Sequence, residues 1–125
     1  MPRWRAETDA DFAVEQDGHL VGRVALRMIV LAIGQCELSY WTVPSARGTG
    51  VATRAARGLS AWAFRDLGLC RIEIRHSTRN PGSCRIAEAS GYAHEATLAR
   101  QHVHADGWHD VHVHTRFADT PPTDR

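Results

Sequence analysis

Between Cys70 and Ser77, the apolar Cys70, Ile72 and Ile74 alternate with Arg71, Glu73 and Arg75, a period of two that predicts a strand with one buried face. The segment before it keeps a different period. From Gly50 to Leu67 the apolar Val51, Ala55, Leu59, Trp62 and Ala63 recur at helical spacing, with Arg54, Arg57 and Arg65 on the other side. Gly68 follows as a C′ residue that stops this helix. Upstream, Phe12–Gln16 and HLVGRVALRMIVLAI (19–33) read as two strands joined by Asp17-Gly18, a pair that accepts the positive φ angles of a type I′ turn. A third run, CELSYWTV (36–43), is rich in β-branched and aromatic residues and closes at Pro44. Strand, helix, strand across residues 36–77 implies a parallel pair. Asn80-Pro81 then opens a short helix that Gly91 ends, and residues 92–117 read as a hairpin turned at Asp106-Gly107. ADTPPTDR (118–125) has no period and two prolines; it is expected to be a disordered tail beyond one domain of residues 1–117.

The length, 125 residues, suits a single core. With 15 basic and 14 acidic side chains the charge is nearly balanced, so no broad attraction to nucleic acid or membrane is expected and any anion site must be local. Every Lys or Arg is an arginine, which removes Schiff-base and other lysine-dependent chemistry. Cys36, Cys70 and Cys84 show no C-x-x-C spacing and read as reduced thiols of a cytoplasmic protein. The longest apolar run, Met28 to Ile33, is far short of the roughly 18 residues of a membrane span, and Arg3 and Arg5 precede no signal-like apolar region.

The stretch RGTGVATRAARG (47–58) sets two glycines just before the long helix. Such a turn presents unpaired backbone N–H groups and the positive end of the helix dipole, the makings of a phosphate site. A P-loop is excluded because it needs lysine. A dinucleotide fingerprint starting at Gly48 would put Thr53 where its third glycine belongs. What remains is R-x-x-G-x-A, met by Arg47, Gly48, Thr49, Gly50, Val51 and Ala52.

With CELSYWTVPSARGTGVATRA, then NPGSCRIAEASGY, then DGWHDV in this order, the chain resembles the GNAT superfamily of acyl-CoA-dependent N-acyltransferases from about Phe12 to Phe117, and most of all its RimJ/RimL-like branch. The resemblance implies an α+β fold, a mixed and mostly antiparallel sheet with helices packed on it. It implies that the strands at Glu37–Val43 and Arg71–Ser77 splay to admit the pantetheine arm of acetyl-CoA, with backbone near Trp41 and Val43 pairing with its amides. The pyrophosphate would lie over the N–H groups of Gly48, Thr49, Gly50, Val51, Ala52 and Thr53, with Arg47 adding charge-assisted bonds and Asn80, already an N-cap, touching the cofactor arm. The family opens with a strand and two helices that Met1 to Asp11 cannot supply, so the resemblance implies a fold shortened at its N-terminus, with exposed apolar surface that favours a homodimer.

The implied reaction transfers an acetyl group to a primary amine, either a protein N-terminus or a small amine. It needs oxyanion donors and a proton for the departing thiolate. A backbone N–H in the Tyr40–Val43 strand suits the first need, and Ser83, which matches the serine of the branch's N-x-x-S motif, suits the second. Glu37 matches an acidic position of the branch that can act as base through a water, and His102 falls where the branch carries a second glutamate. A non-catalytic acyl-CoA-binding domain is the alternative. Six of the eight histidines crowd into His94–His114; a turn at Asp106-Gly107 would set His104 opposite His109 with His102 beside it, and His112 and His114 on the other face. No recognised ligand spacing joins them, and no metal is assigned. Cys84 is expected to be a buried structural thiol, and Trp62 and Phe64 core residues.

Overall fold

A computed structural model of the chain describes residues 9–118. The tail expected from 118 onward lies outside them, except for Ala118. Strands β1 (Ala10–Gln16) and β2 (His19–Val30) form the expected hairpin, and both turn residues, Asp17 and Gly18, take positive φ (54° and 82°). β2 stops three residues short of the predicted end. Its pairing slips after Arg27, Met28 takes φ of 54°, and Leu31–Ile33 coil into a 3-10 turn closed by left-handed Gly34. β3 (Gln35–Thr42) follows, then helix α1 (Val51–Asp66), β4 (Arg71–Ser77), helix α2 (Pro81–Ala89), β5 (Ala93–His104) and β6 (Gly107–Phe117).

The six strands make one sheet in the order β1-β2-β3-β4-β6-β5, antiparallel everywhere except β3 against β4. Both helices lie on one face. Ala56, Leu59 and Ala63 of α1 and Ala87 of α2 pack with Leu26, Leu38, Ile72 and Ile74 from the sheet in one buried cluster. Trp62 and Phe64 flank this cluster half-buried. Tyr92, almost fully buried, bonds its hydroxyl to Ser60 Oγ (2.5 Å) and so ties the chain after α2 to α1.

The other face of the sheet carries charge. Arg71 bonds to Glu73 (2.7 Å) and Glu95, and Arg75 to Glu73 (3.0 Å) with Glu37 at 3.7 Å. Among the described residues no helix is long and apolar enough to cross a membrane.

The last hairpin corrects the sequence reading by one residue. Its two-residue turn is Ala105-Asp106, with His104 paired to Gly107. The positive φ of Gly107 (114°) is used after the turn instead of within it, while Asp106 directs its carboxylate to His109 and Arg79. His102 therefore opposes His109, and the ring of His104 stacks diagonally on His109 at 3.8 Å.

Candidate active site

β3 and β4 are paired over three residues only, Gln35–Glu37 against Arg71–Glu73. Beyond Glu37 the two strands are no longer paired; β3 runs on to Thr42, and a 3-10 turn, Pro44–Ala46, leads the chain away toward α1. The gap leaves one edge of β3 without a strand partner. Val43 donates its N–H to Val21 O (2.9 Å) and accepts from Ala46 N–H (2.9 Å), so both of its backbone groups are engaged inside the protein. Since antiparallel pairs alternate, the backbone groups of Trp41 point toward β2 as the N–H of Val43 does, and those of Tyr40 and Thr42 point into the gap. The phase expected from the sequence, Trp41 and Val43, is thus shifted by one residue.

The loop ahead of α1 explains its glycines. Gly48 and Gly50 take φ of 78° and 84°, which a side chain resists by roughly 1–2 kcal/mol. Thr49 turns its hydroxyl back onto Ala46 O (2.5 Å), which fixes the bend. Gly50 caps α1 with no side-chain acceptor, and its carbonyl takes the first helical bond, from Arg54 N–H (3.0 Å). Among the described residues nothing accepts a hydrogen bond from the N–H groups of Gly48 through Thr53. Five of these six residues, all but Thr49, line one open space ahead of the helix N-terminus.

That space is a cleft of about 690 Å³ running from the end of β3 to α2. Arg47, Gly48, Gly50, Val51, Ala52 and Thr53 line one side, and Asn80 and Ser83 the other. Trp41, expected from the sequence, also lines it, as do Tyr40, Thr42, Gly82 and Arg85, whose side chains the sequence does not single out. Glu37, His102, Val43 and Thr49 do not line it.

Asn80 accepts Ser83 N–H (3.1 Å) as N-cap of α2, and this holds Ser83 at the cleft wall. The Tyr40 hydroxyl lies 2.7 Å from Ser83 Oγ and donates to Ser83 O (3.0 Å). With its proton on that carbonyl, Tyr40 Oη accepts from Ser83 Oγ, and the serine hydroxyl rests against the phenol. Burial pushes the Tyr40 phenol above its ordinary value, and the bond with Ser83 only partly offsets this.

Glu37 and His102 sit on the charged face of the sheet. Glu37 is in the last β3–β4 pair before the gap opens, next to Arg75. His102 stands opposite His109. His109 donates from Nε2 to Asp106 (2.7 Å) and accepts on Nδ1 from Ser77 Oγ (2.6 Å), a network that pins the hairpin to the end of β4. Cys84, expected to be buried, is half-exposed, and Cys36 is the buried thiol.

A family model described as an acetyltransferase (GNAT) domain matches residues 1–93, and the chain belongs to this family. The probable N-acetyltransferase YjcK of Bacillus subtilis is 35% identical over 99 residues, 78% of this chain and 54% of that protein. The putative ribosomal N-acetyltransferase YdaF of the same species is 28% identical over 113 residues, 87% of this chain and 61% of that one. The chain thus spans just over half to about six tenths of these relatives' lengths. Among solved structures, spermidine N-acetyltransferase of Vibrio cholerae in complex with CoA and spermine superposes with a TM-score of 0.84 at 19% identity, over 94% of this chain and 70% of that one. The fold is that of the family, a mixed, mostly antiparallel sheet with two helices on one face. GNAT acetyltransferases take their acetyl group from acetyl-CoA.

Proposed function

We propose that the protein transfers an acetyl group from acetyl-CoA to a primary amine. The observation that carries this reading is the row of unengaged N–H groups from Gly48 to Thr53 at the mouth of a cleft that continues into the β3–β4 gap. A diphosphate satisfies those donors and the helix dipole together, and Arg47 stands at the rim to add charge-assisted bonds. The pantetheine arm then follows the free edge of β3, pairing with Tyr40 and Thr42, past Asn80.

In this reading the thioester reaches the gap from the helix side. Backbone N–H groups of Tyr40 or Thr42, fixed in a strand, meet the developing oxyanion without reorganisation. As the C–N bond forms and the C–S bond breaks, Ser83 turns its hydroxyl from Tyr40 to give its proton to the departing sulfur and regains one from solvent; Tyr40 holds it at the cleft wall. The amine arrives from the charged face, where Glu37 takes its surplus proton through water. His102, farther along that face, is a second candidate base. A protein N-terminus and a small amine both fit as acceptors, in line with a RimJ/RimL-like role: YdaF is named for ribosomal acetylation and the Vibrio enzyme for spermidine.

The free thiols and the use of acetyl-CoA fit a cytoplasmic protein. Leu20, Met28, Leu31 and Ile33, large apolar residues exposed around β2, fit a homodimer. The test is thiol release from acetyl-CoA against a panel of spermidine, small diamines and N-terminal peptides. Amine-dependent release supports the transferase; coenzyme A binding with no release across the panel favours the alternative, an acyl-CoA-binding domain without turnover.

A further inference from the structure

On the helix face, away from the cleft, α2 turns Cys84 and Glu88 (i and i+4) toward the sheet. Beneath them the register of β4, β5 and β6 gathers four imidazoles: His76 opposite His112, and His94 opposite His114. The rings of His76 and His114 stack at 5.0 Å and those of His94 and His112 meet edge-on at 4.9 Å.

Hydrogen bonds fix which nitrogens carry protons. His76 Nδ1 lies 2.9 Å from Ser77 O, which can only accept, so Nδ1 is the donor and Nε2 is bare. His114 Nδ1, 3.3 Å from that bare nitrogen, donates to it. His114 Nε2 is therefore left with a lone pair, aimed at Cys84 Sγ (3.6 Å) and Glu88 Oε2 (3.7 Å). Cys84 Sγ and Glu88 Oε2 are themselves 3.7 Å apart. One thiol proton is shared among three electron-pair donors. A triangle with these edges matches one face of a tetrahedral zinc site, whose N, O and S ligands at about 2.0–2.3 Å from the ion stand roughly 3.3–3.7 Å from each other.

A second observation points the same way. His112 Nδ1 is buried with no hydrogen-bond partner, and the ligating atoms of His76, Cys84 and His112 all lie within 4.8 Å of one another. We propose that Cys84, Glu88 and His114 form a binding site for a divalent zinc-type cation, with His112 near Cys84 and His76 orienting His114 from behind. The ligand set is borderline-soft, which selects zinc over magnesium or calcium. The His76 contact is the outer-shell hydrogen bond that metal-bound histidines carry. Metal binding displaces the Cys84 proton to solvent, one proton released per thiolate–metal bond formed. The site lies on the same short helix as Ser83 but on a different face, so it stands independently of the transferase reading.

The test is titration of the reduced, metal-free full-length chain with zinc in competition with a chromophoric chelator, and with cobalt followed by absorption. One equivalent should bind. Cys84→Ser and His114→Gln should each weaken binding about tenfold or more, while His104→Ala at the hairpin tip should leave it unchanged. The cobalt form of the unaltered chain should show a thiolate-to-metal charge-transfer band. Absence of stoichiometric binding, affinity unchanged by Cys84→Ser, or a cobalt spectrum without that band would each overturn the proposal, the last even where a variant fails to fold.

Discussion

The hydroxyl of Tyr40 on β3 lies 2.7 Å from the hydroxyl of Ser83 on α2 and also donates to the Ser83 carbonyl, so the two walls of the cleft meet at this phenol. If Ser83 protonates the leaving sulfur and Tyr40 only positions it, the two substitutions separate. Ser83→Ala should lower kcat by about 100-fold, the lower end of what a general acid contributes. Tyr40→Phe should lower kcat by a smaller factor, about tenfold, with KM for acetyl-CoA little changed, since the phenol touches the serine and not the diphosphate loop. Steady-state kinetics of the two variants decides this; equal losses, or a loss confined to KM, would contradict it.

Two glycines of one segment should respond with opposite sign. Gly50 holds φ of 84°, and a Cβ there would come within 3.0 Å of Arg54 Nη1, which bonds Thr49 O. Gly50→Ala should therefore cost roughly 1–2 kcal/mol and weaken coenzyme A binding by disturbing the donor row. Gly58, inside α1 and exposed, meets nothing within 4 Å of an added Cβ. Gly58→Ala should stabilise by roughly 0.5–1 kcal/mol and leave coenzyme A affinity unchanged. Denaturant melts of both variants, with and without coenzyme A, check the pair.

Gly48 and Gly50 were legible because positive φ before an amphipathic helix has few chemical solutions. So were the parallel crossover and the Asn80 cap, which local spacing dictates. Three features were not. The phase of β3, which turns Tyr40 and Thr42 into the gap instead of Trp41 and Val43, depends on which pairs are hydrogen-bonded, and side-chain alternation carries no mark of that. The last turn slipped to Ala105-Asp106 because a glycine with positive φ serves equally well in a turn or just after it. The meeting of His76 with His112 and His114 is set by a register between β4 and β6, strands far apart in sequence, and counting histidines in residues 94–114 missed its member on β4.

The hairpin should loosen in acid. The hydrogen bond from His109 holds the Asp106 carboxyl below its ordinary value, with the charge of Arg79 helping. A carboxyl whose folded pKa is depressed contributes stability that is fully present above its unfolded value, about 3.9, and is lost as pH falls through the folded one. Acid unfolding of the unaltered chain should thus steepen below about pH 4, and Asp106→Asn should flatten that limb while leaving coenzyme A binding intact. The same steepness in Asp106→Asn would contradict the assignment.

The central claim, that the amides of Gly48 through Thr53 are held open for a diphosphate, is tested most directly by thermal melting with coenzyme A and with pantetheine, which has the arm but no diphosphate. Coenzyme A at about 100 times its dissociation constant should add roughly 2.7 kcal/mol, a rise in Tm on the order of 10 °C for a domain of this size. Pantetheine at equal concentration should give little. No rise with millimolar coenzyme A, or an equal rise with pantetheine, would contradict the account.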